Sequence, residues 1–551
     1  MSSLHMIDGR LIFKGNYQEG QVITCIAGRR WYPEDKVWEL PLRDGIVDEV
    51  TISIPSVDVG PEVFEAMDMR GVSAKLLAQI KQDFSNAEPV SPMPIRATPF
   101  KHQIAAYNFS ASLPASALLM EQGTGKTLTT LAVIGRRYLD GQIKRVLIVA
   151  PAAVVPVWPQ EFADYADYDY DIKVLDGPVK SRIKTLDSWQ DSLYLQVAVT
   201  NYEGTWRMED ELKLWRPDMI VCDESQRIKT PSSAQSKCLH RLGRLAKYRM
   251  ILTGTPVTQG PMDFYSQYKF LAPEIFGVNY TNFKARYMVM GGFEGRQIIG
   301  YQNMPELIQK AHSVAYRVTK AEALDLPEQI DQLLYCELEP KARRIYKDLL
   351  RDSVAELDNA QVITVSNALS QLLRLSQLTG GFIGHGDAAE SVSQAKLKLL
   401  DDTLEDLLQA GKKVVIFARF TAEIKAIRQL LDSKKVAFAW IAGEVDQSMR
   451  GDEVKRFQAD PDCQVFVAQT RTAGLGITLT AADTAIFYSL DYSFADYDQA
   501  RCRIHRIGQR NTCTYIHLLA KDTVDSKVLQ ALQQKRSVAD DVVDHWREYI
   551  N

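Results

Sequence analysis

Residues 121–127 read EQGTGKT, and they are the stretch with the plainest chemistry. A short apolar run, 115–120, precedes them, and a helix-like stretch, 128–137, follows. An apolar strand, a glycine turn and a helix start together cradle phosphate. Gly123 and Gly125 admit backbone N–H groups to the phosphate oxygens, and the helix N-terminus adds partial positive charge. Lys126 is placed to reach the β- and γ-phosphates of a nucleotide, and the Thr127 hydroxyl to ligate Mg²⁺. The full eight-residue pattern carries glycine at position 120, where this chain has Met120. Alone, therefore, the stretch also reads as a glycine-bearing turn before a helix.

A second stretch, 219–226, reads MIVCDESQ, an apolar run ending in two acids about 100 residues after the loop. Asp223 at such a strand end can hold Mg²⁺, and Glu224 can orient and deprotonate an attacking water. Taken singly, the pair is also a solvated strand end. LTGTP at 252–256 and QARCRIHRIGQR at 499–510 complete the set. Arg503 and Arg506 are three apart, so on a helix they share one face and could both reach a γ-phosphate. The other reading of an arginine-rich helix is a solvated or nucleic-acid-facing surface.

These residues need rigid elements beneath them, and the chain supplies two sets. Apolar strand-like runs at 117–120, 145–150, 197–200, 219–222 and 250–252 alternate with helical stretches, as buried parallel strands do. A second set lies at 413–417, 437–441, 464–468, 484–489 and 515–519. Residues 261–400 between them are mostly helical in pattern. Ahead of both sets, residues 9–56 are rich in β-branched and aromatic residues (LIFKG, QVITCIAG, KVWELPL, EVTISIPS) and read as strands. Residues 61–84 read as one amphipathic helix, and Pro89, Pro92 and Pro94 mark a linker.

The chain has 551 residues, 46% hydrophobic and 24% charged, which suits three or four globular domains at roughly 150 residues each. No apolar run approaches the ~18 residues of a membrane span, and the N-terminus lacks the pattern of a secretion signal. Seven cysteines lie scattered without a C-x-x-C pair, which speaks against a zinc or iron–sulfur site and fits a reducing compartment. The net charge of −4 means that any nucleic-acid contact comes from a local groove.

The ordered set EQGTGKT, DESQ, LTGTP, VAQTRTAGLGITLTAAD (467–483) and QARCRIHRIGQR resembles superfamily-two helicases, and more narrowly the Swi/Snf-type DNA translocases. Three stretches are similar to that family alone: DFYSQYKFLAPEIFG (263–277), YRVTKAEALDLPEQ (316–329) and the HRIGQ of 505–509. The resemblance covers residues 98–525. It implies that Gln103 reads the adenine edge of ATP and that Gly123, Thr124, Gly125, Lys126 and Thr127 form the phosphate loop. Asp223 and Glu224 become the Mg²⁺-holding and water-activating acids. Gln226, Thr253, Thr255 and Gln499 couple the lobes, Gly474 and Gly476 approach the nucleotide from the second lobe, and Arg503 and Arg506 supply the arginine finger, Arg506 being the finger proper. Pro151, Thr200, Asn201, Arg419, Thr470 and Thr472 are the implied contacts to DNA phosphates, which fix register and do not read sequence. The cluster Lys341, Arg343, Arg344 and Lys347 reads either as a solvated face or as a DNA-facing helix. Two departures stand out: the family's loop is usually DEMGLGKT, and its acid box DEAH or DEGH where this chain has DESQ.

Residues 23–42, ITCIAGRRWYPEDKVWELPL, resemble the HARP-type element that precedes the motor in annealing helicases. That resemblance makes Arg29, Arg30 and Trp31 candidates for contact with branched DNA. Trp31 and Trp38 read equally well as the core of a small hairpin module.

The expected fold is α/β: two RecA-like lobes of parallel sheet flanked by helices, with a helical insertion and a small N-terminal α+β module. The expected divisions are 1–92, 93–325 and 326–551. The expected function is ATP- and Mg²⁺-dependent translocation on double-stranded or branched DNA without net unwinding and with little sequence specificity. A strand-separating DNA helicase and a nucleotide-gated DNA-binding scaffold with negligible turnover remain open. The chain is expected to act as a cytoplasmic monomer, nucleoid-associated in a bacterium or in host cytoplasm if viral.

Overall fold

The computed structural model describes residues 2–7, 10–26, 29–42, 46–67, 80–81, 83–189, 192–292, 297–359, 365–384, 389–443, 447–471 and 477–543. The chain divides into two compact units, Met1–Thr319 with Ala539–Asn551, and Lys320–Val538. The division falls ahead of the expected boundary at 325/326. The physical reason is local: Lys320 donates its ammonium to the His505 carbonyl at 3.0 Å and so belongs to the second unit.

The first unit opens with a five-stranded sheet in the order Arg30–Tyr32, Val37–Leu40, Arg10–Lys14, Ser3–Ile7, Asp58–Val59. LIFKG and KVWEL lie in strands, as their β-branched and aromatic residues predict. QVITCIAG and EVTISIPS are not: Tyr17–Ile23 and Ile46–Ser53 are helices. Asn16 and Glu19 close a capping box on the first, each satisfying the other's backbone N–H. Along the second and just past its end, Ile46, Val50 and Ile54 recur every four residues and are all buried. Packing against the sheet overrode the strand propensity of the β-branched residues. The predicted helix at 61–84 is seen at 61–67 and 80–81; residues 83–84 are not helical, and 68–79 and 82 lie outside the described residues.

The main sheet of this unit has seven strands, all parallel, in the order Ala315–Val318, Ala115–Met120, Tyr248–Leu252, Met219–Asp223, Arg145–Ala150, Leu195–Asn201, Tyr170–Val174. Every residue of Ala115–Met120 and of Met219–Asp223 is buried, which explains why these runs are apolar throughout. Residues 261–400 are less uniformly helical than predicted. They hold the hairpin Met288–Gly291/Gln297–Tyr301 and the sheet strands Ala315–Val318 and Gln329–Cys336. DFYSQYKFLAPEIFG is an aromatic core: Phe264 meets Tyr268 edge-on at 5.4 Å, and Tyr268 meets Phe276 at 5.2 Å.

The second unit is built on six parallel strands in the order Gln329–Cys336, Cys513–Ala520, Thr484–Phe487, Val414–Ala418, Val465–Gln469, Phe438–Ile441. Helices flank both sheets, the RecA-like arrangement. In each unit the parallel strands deliver their C-terminal ends, and the loops that follow them, to one edge of the sheet.

Candidate active site

The phosphate loop of the first unit leaves Met120 and turns through Gly123 (φ +84°) and Gly125 (φ +91°), both left-handed. A side chain at Gly125 is excluded on two counts. Its backbone is left-handed, and a Cβ there would lie 2.0 Å from Gln103 Nε2. Lys126 begins the helix Lys126–Leu139 and folds back on the loop, donating to the Met120 carbonyl at 2.9 Å and the Glu121 carbonyl at 3.3 Å. Thr127 follows it in the first helical turn, half-buried. Thr124 is fully buried; its hydroxyl donates to Glu121 O at 2.8 Å.

Gln103 is buried beneath this loop. Its Nε2 donates to Thr124 O at 3.1 Å, and its Oε1 accepts from the Phe100 N–H at 3.0 Å, capping the helix Lys101–Ala111. His102 meets the same Thr124 carbonyl at 2.8 Å. Both ends of the carboxamide that the resemblance assigns to an adenine edge are thus engaged within the protein, propping the loop.

Asp223 ends its strand 8% exposed, and burial with the Glu224 charge beside it pushes its carboxyl up to about 7, against the pull of Lys126 and of the Trp158 indole N–H at 3.2 Å. An acid buried this deeply beside a second carboxylate is a site a divalent cation would neutralise. Asp223 fits Mg²⁺ in that respect. Glu224 stands in the left-handed region (φ +52°), turning the chain out of the strand.

A hydrogen-bonded relay starts from Glu224. Gln226 Nε2 donates to Glu224 Oε2 at 2.8 Å, Thr253 Oγ1 donates to Gln226 Oε1 at 2.8 Å, and the Thr255 N–H donates to Thr253 Oγ1 at 3.0 Å. Glutamine in the acid box therefore joins the acid to the LTGTP turn by one side chain. That turn packs directly on the phosphate loop, since a Cβ at Gly254 would lie 3.2 Å from Gln122 N. The Asp263 block steadies both pieces. Ser225 donates to Gln267 at 2.7 Å, Gln267 donates to Pro256 O at 2.8 Å, and Asp263 accepts from the Thr258 N–H at 2.7 Å.

Two residues that sequence reasoning passed over complete this half. Trp158 holds Asp223, as described. Arg317, 5% exposed, donates to Leu119 O at 2.9 Å and pairs with Glu121 at 3.3 Å, pinning the loop to its neighbouring strand. The signal available was a basic residue inside an otherwise apolar strand, AYRV.

In the second unit the helix bearing Gln499 runs Phe494–Arg501 and is closed by Cys502, so Arg503 and Arg506 lie in the turn beyond it. The shared helical face predicted for them is corrected. The turn is fixed by burial of Ile504 and by His505, whose ring bonds Pro327 O at 2.9 Å and Gln329 at 3.0 Å. Arg503 is buried, and its carbonyl accepts from the Leu479 N–H at 2.9 Å; Arg506 is half-buried with its guanidinium 3.4 Å from Ile477 O. Arg501, at the helix end, is structural: it pairs with Asp331 and stacks 3.8 Å over Tyr515. Gly474, Gly476 and Thr472 lie outside the described residues.

The predicted DNA-phosphate contacts divide. Pro151 closes the strand Arg145–Ala150 and its carbonyl accepts from the Val154 N–H at 2.7 Å. Thr200 is fully buried near the end of its strand, its hydroxyl donating to Leu175 O at 3.3 Å and accepting from Arg182 at 3.5 Å. Asn201 caps the next helix through Gly204 N and accepts from Arg182 at 2.9 Å. Thr470 is likewise buried, donating to Ala418 O at 3.3 Å. Arg419 and Arg471 share Asp491, each at 3.2 Å, and Arg471 is 70% exposed. Arg182 and Arg471 are thus cations at these two strand ends that the motif reading did not select. In the basic cluster, Arg343 is tied to Asp522 at 3.1 Å while Lys341, Arg344 and Lys347 are exposed. In the N-terminal module Trp31 is 44% exposed, its ring 4.9 Å from Trp38; Arg29 donates to Ile26 O, and Arg30 lies over Tyr32.

A phosphate loop, a paired-acid strand end and two RecA-like sheets define a nucleotide-binding motor core of the helicase type. The SNF2-related domain model matches residues 102–379, and the helicase conserved C-terminal domain model matches 395–508. The chain belongs to the SNF2-related family. It is 28% identical over 444 residues to chromodomain-helicase-DNA-binding protein 1-like of Danio rerio, covering 78% of this chain and 42% of that protein. It is 25% identical over 421 residues to an uncharacterized ATP-dependent helicase of Mycoplasma genitalium (76% of this chain, 39% of the other). To the DNA repair and recombination protein RDH54 of Saccharomyces cerevisiae it is 26% identical over 437 residues (73% and 45%). Among solved structures it is similar to the Sulfolobus solfataricus SWI2/SNF2 ATPase core in complex with dsDNA, 27% identical, covering 83% of this chain and 95% of that one, with a TM-score of 0.40. The chain spans less than half the length of these curated relatives. No helix among the described residues is long and apolar enough to cross a membrane.

Proposed function

We propose that the protein is a DNA-dependent ATPase that translocates on double-stranded DNA without net unwinding. The observation that carries the reading is the relay from Glu224 through Gln226 and Thr253 to Thr255, on a turn that abuts the phosphate loop. It ties the water-activating acid to the element beside the triphosphate. Lys126 exchanges its hold on the Met120 and Glu121 carbonyls for the β- and γ-phosphates of ATP. Thr127 and Asp223 would hold Mg²⁺, which supplies charge neutralisation for the transferring phosphoryl group. Glu224 orients the attacking water and takes its proton. Arg503 and Arg506, brought from the second unit, stabilise the charge that develops on the γ-phosphoryl oxygens. DNA that favours the arrangement in which both halves of the site meet accelerates hydrolysis.

Pro151, Asn201 and Arg182 in the first unit, with Arg419 and Arg471 in the second, are the proposed phosphate contacts. Such contacts track the backbone with little sequence preference. The exposed Trp31, directly after Arg29 and Arg30, supports a bias toward branched DNA, where a splayed base can stack. The test is ATPase rate on a panel of no nucleic acid, single strand, duplex, forked DNA and RNA. Alongside it runs displacement of a triplex strand against unwinding of blunt duplex. Duplex should stimulate, forks more so, and triplex displacement should occur without unwinding. Lys126→Ala should lose nucleotide affinity, and Glu224→Gln should bind ATP yet stall. Efficient unwinding of plain duplex would mean a strand-separating helicase, and negligible turnover on every DNA would mean a nucleotide-gated scaffold.

A further inference from the structure

The segment Arg317-Val318-Thr319-Lys320 holds the machinery of the site at both of its ends. In the first unit, Arg317 donates to Leu119 O at 2.9 Å and pairs with the Glu121 carboxylate at 3.3 Å, and it reaches the Gly254 carbonyl at 3.5 Å. The next residue takes part as well: Val318 O accepts from the Glu121 N–H at 3.1 Å. The strand below the phosphate loop, the first residue of the loop and the LTGTP turn are therefore gripped from one short stretch. In the second unit, Lys320 is 7% exposed and donates to the His505 carbonyl at 3.0 Å and to Cys502 Sγ at 2.9 Å. Those two residues bracket Arg503, and His505 directly precedes Arg506, so Lys320 grips the turn that carries both arginines. The division between the compact units falls between these grips, at Thr319–Lys320.

We propose that Arg317 and Lys320 are positioning residues at the two ends of a covalent strut that couples the phosphate loop to the arginine turn, so that neither can shift without loading the other. The inference rests on the nucleotide reading of the site and adds the route by which its two halves communicate. Three residues of extended chain span at most ~10–11 Å, which bounds the length of the strut. Both grips are made by buried cations on backbone carbonyls, bonds that are costly to leave unmade once water is excluded. A local shift at either end is therefore passed along the chain. Coupling of this kind requires a physical connection with two discrete arrangements, and the strut supplies the connection.

The test is a Gly-Gly insertion between Thr319 and Lys320 in the full chain. It leaves both grips in place and adds ~7 Å of flexible length. The readout is the dissociation constant of a fluorescent, non-hydrolysable ATP analogue with and without saturating duplex DNA, with ATPase rate measured alongside. In the wild type, DNA should change nucleotide affinity by about 5–150-fold, and the insertion should bring that ratio close to 1 while nucleotide affinity without DNA stays within about threefold. The same insertion after the exposed Gly141, where a Cβ would meet nothing within 4 Å, should leave the ratio unchanged. If the insertion at 319/320 melts the protein, Lys320→Ala decides by the same ratio, because it releases one grip only. A ratio that survives the insertion, or survives Lys320→Ala when the insertion does not fold, overturns the strut. So does a wild type whose nucleotide affinity is blind to DNA. Intact coupling without hydrolysis would leave the strut standing and remove the ATPase reading.

Discussion

Thr253 is the residue on which the relay can be cut with least collateral change. It is fully buried, and its hydroxyl makes two bonds, donating to Gln226 Oε1 at 2.8 Å and accepting from the Thr255 N–H at 3.0 Å. Thr253→Val keeps the branched shape, so no cavity opens, yet both bonds go. Gln226 is half-exposed and its freed oxygen can turn to water. Thr255 is 6% exposed, so its N–H is left stranded at a cost of about 1–3 kcal/mol. The first unit should melt lower by about 2–4 °C per kcal/mol lost. Activity should suffer more than stability. With Gln226 no longer held from behind, Glu224 loses a fixed orientation, and misplacement of a catalytic group by an ångström costs about 10²-fold in rate. We expect kcat of the DNA-stimulated reaction to fall about 10–100-fold with ATP affinity within about threefold. Thr253→Ser, which restores the hydroxyl and omits the methyl, should recover most of the rate. Wild-type kcat in the valine variant would refute the relay, and a serine variant as slow as valine would reduce Thr253 to a packing residue.

Arg506→Ala should leave ATP affinity nearly unchanged and slow hydrolysis by about 10³–10⁵-fold, as loss of an arginine finger does. Single-turnover rates that are far worse in Arg503→Ala would move the finger to Arg503. Glu423 gives a pH test: burial pushes its carboxyl up to about 7 from an ordinary 4.5, although the Ser489 hydroxyl, the Phe420 and Arg419 N–H groups and Lys396 favour ionisation. The folded state thus holds a proton the unfolded chain has released, so this group's contribution to stability is complete below 4.5 and is lost as pH rises toward about 7. Glu423→Gln should flatten that decline, measured as urea midpoints of both proteins at about pH 5 and about pH 8; parallel declines would show that Glu423 is not its source.

Most strands of the two parallel sheets were legible because both of their faces are covered, which leaves an uninterrupted apolar run such as ALLM or MIVC in the text, whereas Tyr170–Val174, Ala315–Val318 and Gln329–Cys336, all at sheet edges, were not read. The N-terminal helices were not, because QVI and VTIS carry strand-type residues and the deciding signals were quieter. One was an Asn16–Glu19 box, the other a four-residue recurrence of buried isoleucine and valine. The site divides along the same line. Lys126, Asp223, Glu224, Gln226 and Thr253 sit in contiguous motifs, so type and order expose them. Trp158 and Arg317 act across 65 and 198 residues of sequence, and only the fold brings them to Asp223 and Leu119. Thr200 and Thr470, which the resemblance puts forward as phosphate contacts, donate their hydroxyls to the Leu175 and Ala418 carbonyls, bonds that sequence alone does not show. The stretches that seemed merely characteristic of the family turn out to be supports. The aromatic block carries Gln267 and Asp263 to the acid box and LTGTP, and the leucine-proline block carries Lys320, Pro327 and Gln329 to the arginine turn.

The departure at Gln226 can be turned into a final test. The position must donate to Glu224 and accept from Thr253 at the same time, and a carboxamide does both with fixed polarity at every pH. The histidine usual in the resembling family can do the same only when neutral, with one ring nitrogen a donor and the other an acceptor. Protonated, both nitrogens donate. Thr253 Oγ1, which already accepts from the Thr255 N–H, would have to become an acceptor again and surrender its own donated bond. Gln226→His should therefore stay active near neutral pH and lose kcat as pH falls through about 6.5, the ordinary imidazole range, while the wild type shows no loss there attributable to this position. The comparison is kcat at saturating ATP and DNA across that range for the two proteins, with nucleotide affinity followed in parallel so that a binding defect is not mistaken for a chemical one. If the two profiles superimpose, the side chain at 226 does not bridge Glu224 and Thr253 during turnover. If Gln226→His is inactive at every pH, the bridge needs the reach of a carboxamide, and the acid box of this chain is built for glutamine.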